Sequence, residues 1–416
     1  MARVKPFRGL RPPKELAAKV ACLPYDVMNT QEARKMAEGN PYSLLHITRA
    51  EIDLEEGIDE HSQQVYEKSR ENFKKFLENG WLIQDEEPHF YIYAQTMNGR
   101  TQYGIVGGAH YLDYYEGKIK KHELTRPDKE RDRTVHILTN NAQLEPVFLA
   151  FRLEPELTQV MMDWVNNHDP EYDFVAEDGI GHHFWVITDP KVNEKIEKLF
   201  ETKVPFTYIA DGHHRTAAAA LVAKEKAEKN PNHTGTEEYC YIMAVHFPHN
   251  QLKIMDYNRV IKDLNGHTPE EIIKLLKENF VIEEAKGQYK PQSRHTFGMY
   301  LDGKWYKLIA KPHTYDDNDP IDGLDVTILT NYILKPVLGI EDLRRSKRIA
   351  FVGGIRGLGE LERRVDSGEM AIAFALYPVS MEELMRIADT NNIMPPKTTW
   401  FEPKLRSGLV IHRIDN

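Results

Sequence analysis

Five consecutive residues, Asp211-Gly212-His213-His214-Arg215, put a carboxylate, two imidazoles and a guanidinium into one short stretch of chain. They follow an apolar run, Tyr208-Ile209-Ala210, and precede an alanine-rich stretch from Thr216 to Ala220 that reads as a helix. Strand, glycine-flexed turn, helix start is an order that aims backbone N–H groups at one point, where the helix dipole favours an anion. Arg215 suits bidentate capture of a phosphate or carboxylate. His213 and His214 point to different sides, so one faces the site and the other the core. Asp211 either binds Mg2+ or orients an imidazole. An N-cap aspartate and a packed histidine account for part of the pattern, but a cap needs neither the arginine nor a second histidine.

A second group is His122-Glu123-Leu124-Thr125, followed by Arg126 and Arg133. A zinc-protease helix needs a histidine three residues beyond the glutamate, where this chain has Arg126, so that reading fails. What is left is a carboxylate able to act as general base among basic neighbours. By composition alone the run reads as a solvated charged face. A third group is Met394-Pro395-Pro396-Lys397-Thr398-Thr399. Its prolines stiffen an extended segment that presents an ammonium and two hydroxyls, donors suited to a small polar substrate or a phosphate. Taken alone it reads as a loop. His182-His183 reads as the start of a strand rather than a ligand pair. Gly353-Gly354-Ile355-Arg356-Gly357 has the glycines of a phosphate loop but lacks the Lys-Ser/Thr ending. No dinucleotide fingerprint and no Gly-x-Ser-x-Gly elbow is present.

The elements that must hold these groups follow from periodicity and turn chemistry. Residues 1–30 are proline-rich and basic, which forbids a continuous helix and suggests a segment wrapped over a surface, with Tyr25-Asp26 turned into a cleft. Val65, Tyr66, Ser69, Phe73, Phe76 and Leu77 recur at helical spacing within 61–79, with Gly80 as the stop. Asn98-Gly99 joins two alternating strands, His89 to Thr96 and Gln102 to Tyr111, and Asp302-Gly303 joins a second pair, Thr296 to Tyr300 and Trp305 to Ile309. The charge-dense stretch 117–135 reads as a solvated face or mobile loop. Strands are expected at 144–152, 183–188, 238–247, 349–352 and 370–376. Helices are expected at 269–280, 322–338, 358–366 and 380–389, the last with Ser380 and Glu383 as a capping box. The whole reads as mixed α and β.

Bulk properties narrow the class. The chain has 416 residues, 41% hydrophobic and 28% charged, an ordinary globular composition with room for two or three domains. A net charge of −10 disfavours a protein that coats nucleic acid, which needs a Lys/Arg excess. Cys22 and Cys240 stand far apart, which suits a reducing compartment and offers neither a disulfide framework nor a four-thiolate zinc site. No apolar run has the length of a signal core or a membrane span, so a cytoplasmic protein is expected.

Taken together, the three motifs resemble the free L-serine kinases that use ADP as phosphoryl donor, enzymes of the ParB/sulfiredoxin-like fold. More closely, the chain resembles a widespread bacterial and archaeal family of proteins of unknown function placed near those kinases. The marks are Lys5-Pro6-Phe7, Pro24-Tyr25-Asp26-Val27, Asp211 to Arg215, and the ending Met394 to Thr399 with Phe401-Glu402-Pro403-Lys404 and Ser407-Gly408-Leu409-Val410. The resemblance implies a mixed α/β chain in three parts. These are an N-terminal α/β extension at 1–115, a ParB/sulfiredoxin-like nucleotide-binding core at 116–260, and a C-terminal α/β region at 261–416 that carries Pro-Lys-Thr-Thr. It implies Glu123 as the base that takes the acceptor's proton, with Asp211 and His214 as further catalytic groups. Asp211, Gly212, His213, His214 and Arg215 would hold the phosphates of ADP or ATP, and Asp211 the Mg2+. His122, Lys397, Thr398 and Thr399 would contact substrate. The compact kinases have far fewer residues between the His-Glu and Asp-Gly-His-His-Arg motifs. They also carry a basic-polar pair where this chain has Trp400-Phe401.

Three functions follow. The first is a small-molecule kinase acting on a free, serine-like amino acid or similar metabolite, with a small molecule and a nucleotide as partners, no membrane, and room for a homo-oligomer. The second is a nucleotide-binding ParB-like regulatory or DNA-associated protein, against which the acidic balance counts. The third is a phosphatase or phosphotransfer histidine enzyme with His213 or His214 as nucleophile.

Overall fold

A computed structural model describes residues 1–415. The chain forms two units, 1–252 with 403–416, and 253–402. This differs from the expected three-part division at 115 and 260. The hairpin of the N-terminal part lies inside the same sheet as the strands of the expected core, and the last residues return to that first unit.

The first unit is built on a nine-stranded mixed sheet. Its strands are β1 (Val4–Lys5), β2 (Tyr91–Met97), β3 (Arg100–His110), β4 (Ile119–Lys120), β5 (Val147–Phe151), β6 (Tyr172–Val175), β7 (Gly181–Val186), β8 (Thr207–Asp211) and β9 (Tyr241–Pro248). They run in the order β4-β8-β5-β9-β3-β2-β7-β6, with β1 extending the edge of β3 at Gly108 and Ala109. The β5–β9 and β4–β8 pairs are parallel and the others antiparallel. Asn98 and Gly99 sit at φ 52° and 75°, as the expected two-residue turn between β2 and β3 requires.

The longest helices of the first unit are α1 (Gln63–Glu78), α2 (Pro127–Asn140), α3 (Pro155–Asn167), α4 (Pro190–Lys203) and α5 (His213–Lys229). Helix α1 buries the expected stripe, Val65, Tyr66, Ser69, Phe73 and Phe76. Helix α2 corrects the reading of 117–135 as a solvated or mobile run. Pro127 is its first residue, where a missing N–H costs nothing, Asp128 and Glu130 suit the positive end, and Asn141 closes it in a left-handed conformation. One face of α2 buries Asp132, Arg133, His136 and Ile137. Charge density hid this because charged side chains are buried when they are paired, which composition does not register. Helix α5 lays Ala218, Ala219, Ala220, Val222 and Ala223 against Leu149 of β5, Ile209 of β8 and Ala244 of β9. Its small side chains let the helix run close over the three strands that bracket the turn.

The chain's ends are stitched into this unit. Leu10 and Ile411 exchange both backbone hydrogen bonds at 2.9 Å, Cys22 and Ser407 do so at 3.0 and 2.9 Å, and His412–Arg413 pairs with Ala142–Gln143. The proline-rich start therefore wraps as expected, with the tail as its partner.

The second unit holds a six-stranded antiparallel sheet of β10 (Tyr257–Ile261), β11 (Phe280–Glu284), β12 (Thr296–Leu301), β13 (Lys304–Ala310), β14 (Ile349–Gly353) and β15 (Ile372–Leu376), in the order β11-β13-β12-β15-β10-β14. Helices α6 (Pro269–Leu276), α7 (Leu358–Asp366) and α8 (Met381–Asp389) accompany it, and the Ser380–Glu383 capping box of α8 is present. The helix expected over 322–338 is shorter, Asp325–Leu329, and widens into a π-helical turn at Thr330–Leu334. Gly353 and Gly354 serve packing, while Gly357 stands in open space at φ 71°. A Cβ on Gly353 would stand 2.8 Å from the ring of Trp400, and one on Gly354 would collide with the Asp256 carboxylate. Among the described residues no helix is long and apolar enough to cross a membrane.

The stitched tail yields a test. Leu405, Leu409, Val410, Ile411 and Ile414 are buried. Each such side chain stabilises by about 1.5–3 kcal/mol, against a domain total of about 5–15. A chain ended after Glu402 is expected to lose the cooperative thermal transition of the first unit in scanning calorimetry; an unchanged transition would contradict this packing.

Candidate active site at the start of helix α5

The turn lies at the end of β8, the strand next to the edge strand β4. The β8–β5 register slips between Ile209 and Asp211, and a bulge of this kind re-aims the next side chain. Gly212 follows at φ 94° as the N-cap of α5, with no side chain capping the helix. A Cβ there would meet the Arg215 guanidinium at 3.1–3.2 Å, so both conformation and space require glycine. The Thr216 hydroxyl donates to the Gly212 carbonyl at 2.9 Å and tightens the first turn.

Asp211 accepts the Gly212 N–H on Oδ1 at 2.9 Å and pairs with Lys404 Nζ through Oδ2 at 3.1 Å. Burial works against this carboxylate, but Lys404 and Arg215 outweigh it and hold its pKa at about 2. Its side chain remains 30% exposed. Arg215 is buried and donates from Nη1 to the Pro146 carbonyl at 2.6 Å. Burial opposes its charge, yet Asp26, Asp211 and Glu145 keep its pKa above the ordinary value.

Glu145 ties this turn to α2 and to the N-terminal segment. It is buried, which pushes its carboxyl up against the pull of Arg133 and Arg215. It accepts the Tyr25 N–H at 2.9 Å and pairs with Arg133 at 3.4 Å. The Arg133 guanidinium in turn lies 3.7 Å from the centre of the Tyr25 ring and 2.6 Å from Asp132.

On the other side stand the histidines. The His122 and His213 rings meet edge to face at 4.5 Å, and the His122 backbone N–H donates to His213 Nε2 at 3.4 Å. Both are buried; burial lowers His122 to about 4 and drives His213 well below its usual range, so both imidazoles are neutral near pH 7. His214 is half-buried and accepts the Arg126 N–H on Nε2 at 3.0 Å. Burial lowers its pKa as well. Ligand atoms of His122, Glu123 and His213 all lie within 4.8 Å of one another.

The structure thus gathers His122, Glu123, Asp211, Gly212, His213, His214 and Arg215 at one end of the first unit's sheet. Lys397, Thr398 and Thr399 belong to the second unit. There Lys397 has a left-handed backbone, φ 58°, and its carbonyl accepts from Arg259 at 2.9 Å. The buried Thr398 hydroxyl donates to the Pro395 carbonyl at 2.5 Å, a turn-forming bond. Sequence reasoning missed Lys404 and Glu145 at the turn. Neither carries a local signal, because each reaches its partner across a long stretch of chain.

The family described as Protein of unknown function (DUF1015) matches residues 4–327, most of the chain and all of this turn. The chain belongs to this family. No curated protein matches it. Among solved structures, the DUF1015 chain is similar to a conserved hypothetical protein from Pyrococcus furiosus, at 14% identity over 70% of this chain and 91% of that one, with TM-score 0.34. It is similar to a free serine kinase in complex with AMP, at 14% identity over 70% of this chain and 88% of that one, with TM-score 0.34. It is similar also to SbnI with C-terminal truncation from Staphylococcus aureus, at 10% identity over 73% and 86%, with TM-score 0.35.

Two expectations follow from the turn. Gly212→Ala forces a Cβ into the left-handed region, at about 1–2 kcal/mol, and against the guanidinium; urea unfolding should show at least this loss, and an unchanged midpoint would mean that the backbone is not held as described. The second concerns pH. His122, His136 and His246 are buried and lowered by burial from 6.5 to about 4. The unfolded chain takes up these protons first, so stability is complete above about pH 6.5 and declines as pH falls toward 4. His136→Gln should flatten that decline by up to about 1.4 kcal/mol per pH unit in urea unfolding measured between pH 7 and 4.5; a decline of the same slope would count against a neutral buried imidazole.

Proposed function

We propose that this chain is a kinase that moves a phosphoryl group from ADP or ATP to a hydroxyl of a free, serine-like amino acid or similar small metabolite. The observation that carries the reading is the Asp211–Arg215 turn at the opening of α5, with the Glu123 carboxylate within 4.8 Å of ligand nitrogens of His122 and His213. Phosphoryl transfer asks a protein for positioning and charge neutralisation more than for covalent help. First-turn amides of α5, Arg215 and Lys404 supply positive potential for the donor's phosphates. The acceptor oxygen forms the new P–O bond, the bond from phosphorus to the nucleotide oxygen breaks, and Glu123 takes the hydroxyl proton. The neutral imidazoles of His122 and His213 accept or donate hydrogen bonds without adding charge beside that base.

Mg2+ is the cation this chemistry ordinarily employs, and it takes oxygen ligands. Asp211 fits that demand, being ionised down to about pH 2 and 30% exposed. It would hold the ion together with phosphate oxygens, and the bound ion would neutralise phosphate charge. Lys397, Thr398 and Thr399 lie in the second unit and take no part in this step. The Thr398 hydroxyl already has its partner in Pro395.

The test is turnover of ADP or ATP with Mg2+ against a panel of free amino acids and hydroxylated metabolites. Acceptor-dependent phosphorylation is expected. Glu123→Gln should lower it by about 10²–10⁴ while leaving nucleotide affinity intact. Full transfer in that variant would remove Glu123 from the mechanism, and nucleotide binding with no acceptor-dependent turnover would favour a regulatory nucleotide-binding protein.

A further inference from the structure

A second cluster of ligand-type side chains lies away from the turn, in the connection between α5 and β9. His233, Glu237 and Cys240 offer one nitrogen, one oxygen and one sulfur, all within 4.8 Å of one another. Cys240 is fully buried, and the His233 and Glu237 side chains are 26% and 9% exposed. The imidazole and the thiol converge on a single atom of the third, Glu237 Oε2. His233 Nδ1 lies 3.1 Å from it and Cys240 Sγ 3.6 Å.

We propose that this is a binding site for a borderline-soft divalent cation of the zinc type. Bonds of about 2.0–2.1 Å to nitrogen and oxygen and about 2.3 Å to sulfur put tetrahedral ligands about 3.3–3.6 Å apart, close to the spacings present. A nitrogen-oxygen-sulfur donor set selects such an ion and excludes Mg2+ and Ca2+, which take oxygen. The carboxylate is already aimed by its loop. Oε1 accepts the Thr234 N–H at 2.7 Å and the Thr234 hydroxyl at 3.0 Å, and Oε2 accepts the Gly235 N–H at 2.9 Å. Capping the loop explains those bonds. It does not call for a thiol and an imidazole on the same oxygen. Hydrogen bonds of this kind to a ligand oxygen orient it for a metal. On binding, the Cys240 S–H proton is released to bulk water and the thiolate, the carboxylate oxygen and His233 Nδ1 become the ligands. Water, or the Tyr239 hydroxyl that lies 3.0 Å from His233 Nδ1, completes the tetrahedron. The ion would fasten the end of α5 to the start of β9.

The test uses full-length protein stripped with a chelator and titrated with Co2+. A thiolate-to-cobalt charge-transfer band that saturates at one equivalent and is displaced by Zn2+ is expected. Cys240→Ser should abolish the band, and His233→Gln should weaken Co2+ binding at least tenfold with the circular dichroism unchanged. Zn2+ should also raise the thermal midpoint of the wild type but not of Cys240→Ser. No band in the wild type, the same band in Cys240→Ser, or unaltered affinity in His233→Gln would each overturn the site. The last outcome decides the matter even if the buried-cysteine variant does not fold.

Discussion

The first unit depends on how one buried guanidinium is kept charged. Arg215 sits at the opening of α5 with a backbone carbonyl on one side and the carboxylates of Asp211 and Glu145 among its neighbours. An unpaired ion in such surroundings costs several kcal/mol, so each neighbour must answer it and then be answered itself. Asp211 is matched by Lys404, Glu145 by Arg133, and Arg133 by Asp132. The charges at the turn therefore extend through α2 to Tyr25 at one end of the chain and to Lys404 near the other. The stitched termini are part of the same arrangement, since they bring those residues to the sheet.

The neutrality of the histidines complements this. His122 and His213 stand beside charged groups yet lie too deep to hold a proton near pH 7. They give the turn polar atoms without further positive charge. Glu123, half-buried, lies next to these uncharged rings. Fixed charges thus stand on one side of the turn and a carboxylate beside neutral imidazoles on the other, the division that the proposed transfer reaction would use.

Local chemistry was legible in the sequence. The Asn98-Gly99 and Asp302-Gly303 turns, the α1 stripe, the Ser380 capping box and the strand–glycine–helix order at Asp211 all rest on neighbours a few residues apart, and each is present. The failures share one cause. Helix α2 reads as a solvated run because the groups that bury the Asp132–Arg133 pair, Tyr66 and His61 beside Asp132 and Glu145 beside Arg133, lie outside that stretch. The tail at 403–416 was grouped with the C-terminal region because nothing in its residues announces pairing with Leu10 and Cys22. Lys404 and Glu145 were missed at the turn for the same reason. Long-range pairing decides burial for charged residues, and a single sequence records only the charges.

Gly353 and Trp400 carry a different lesson. The glycine run around 353 has the composition of a nucleotide cradle, but its first member is bare because an indole occupies the volume where a methyl group would stand. Those two positions form a lock and a key within one chain. A larger residue at the first would call for a smaller one at the second, so each limits what the other can be across a long stretch of chain.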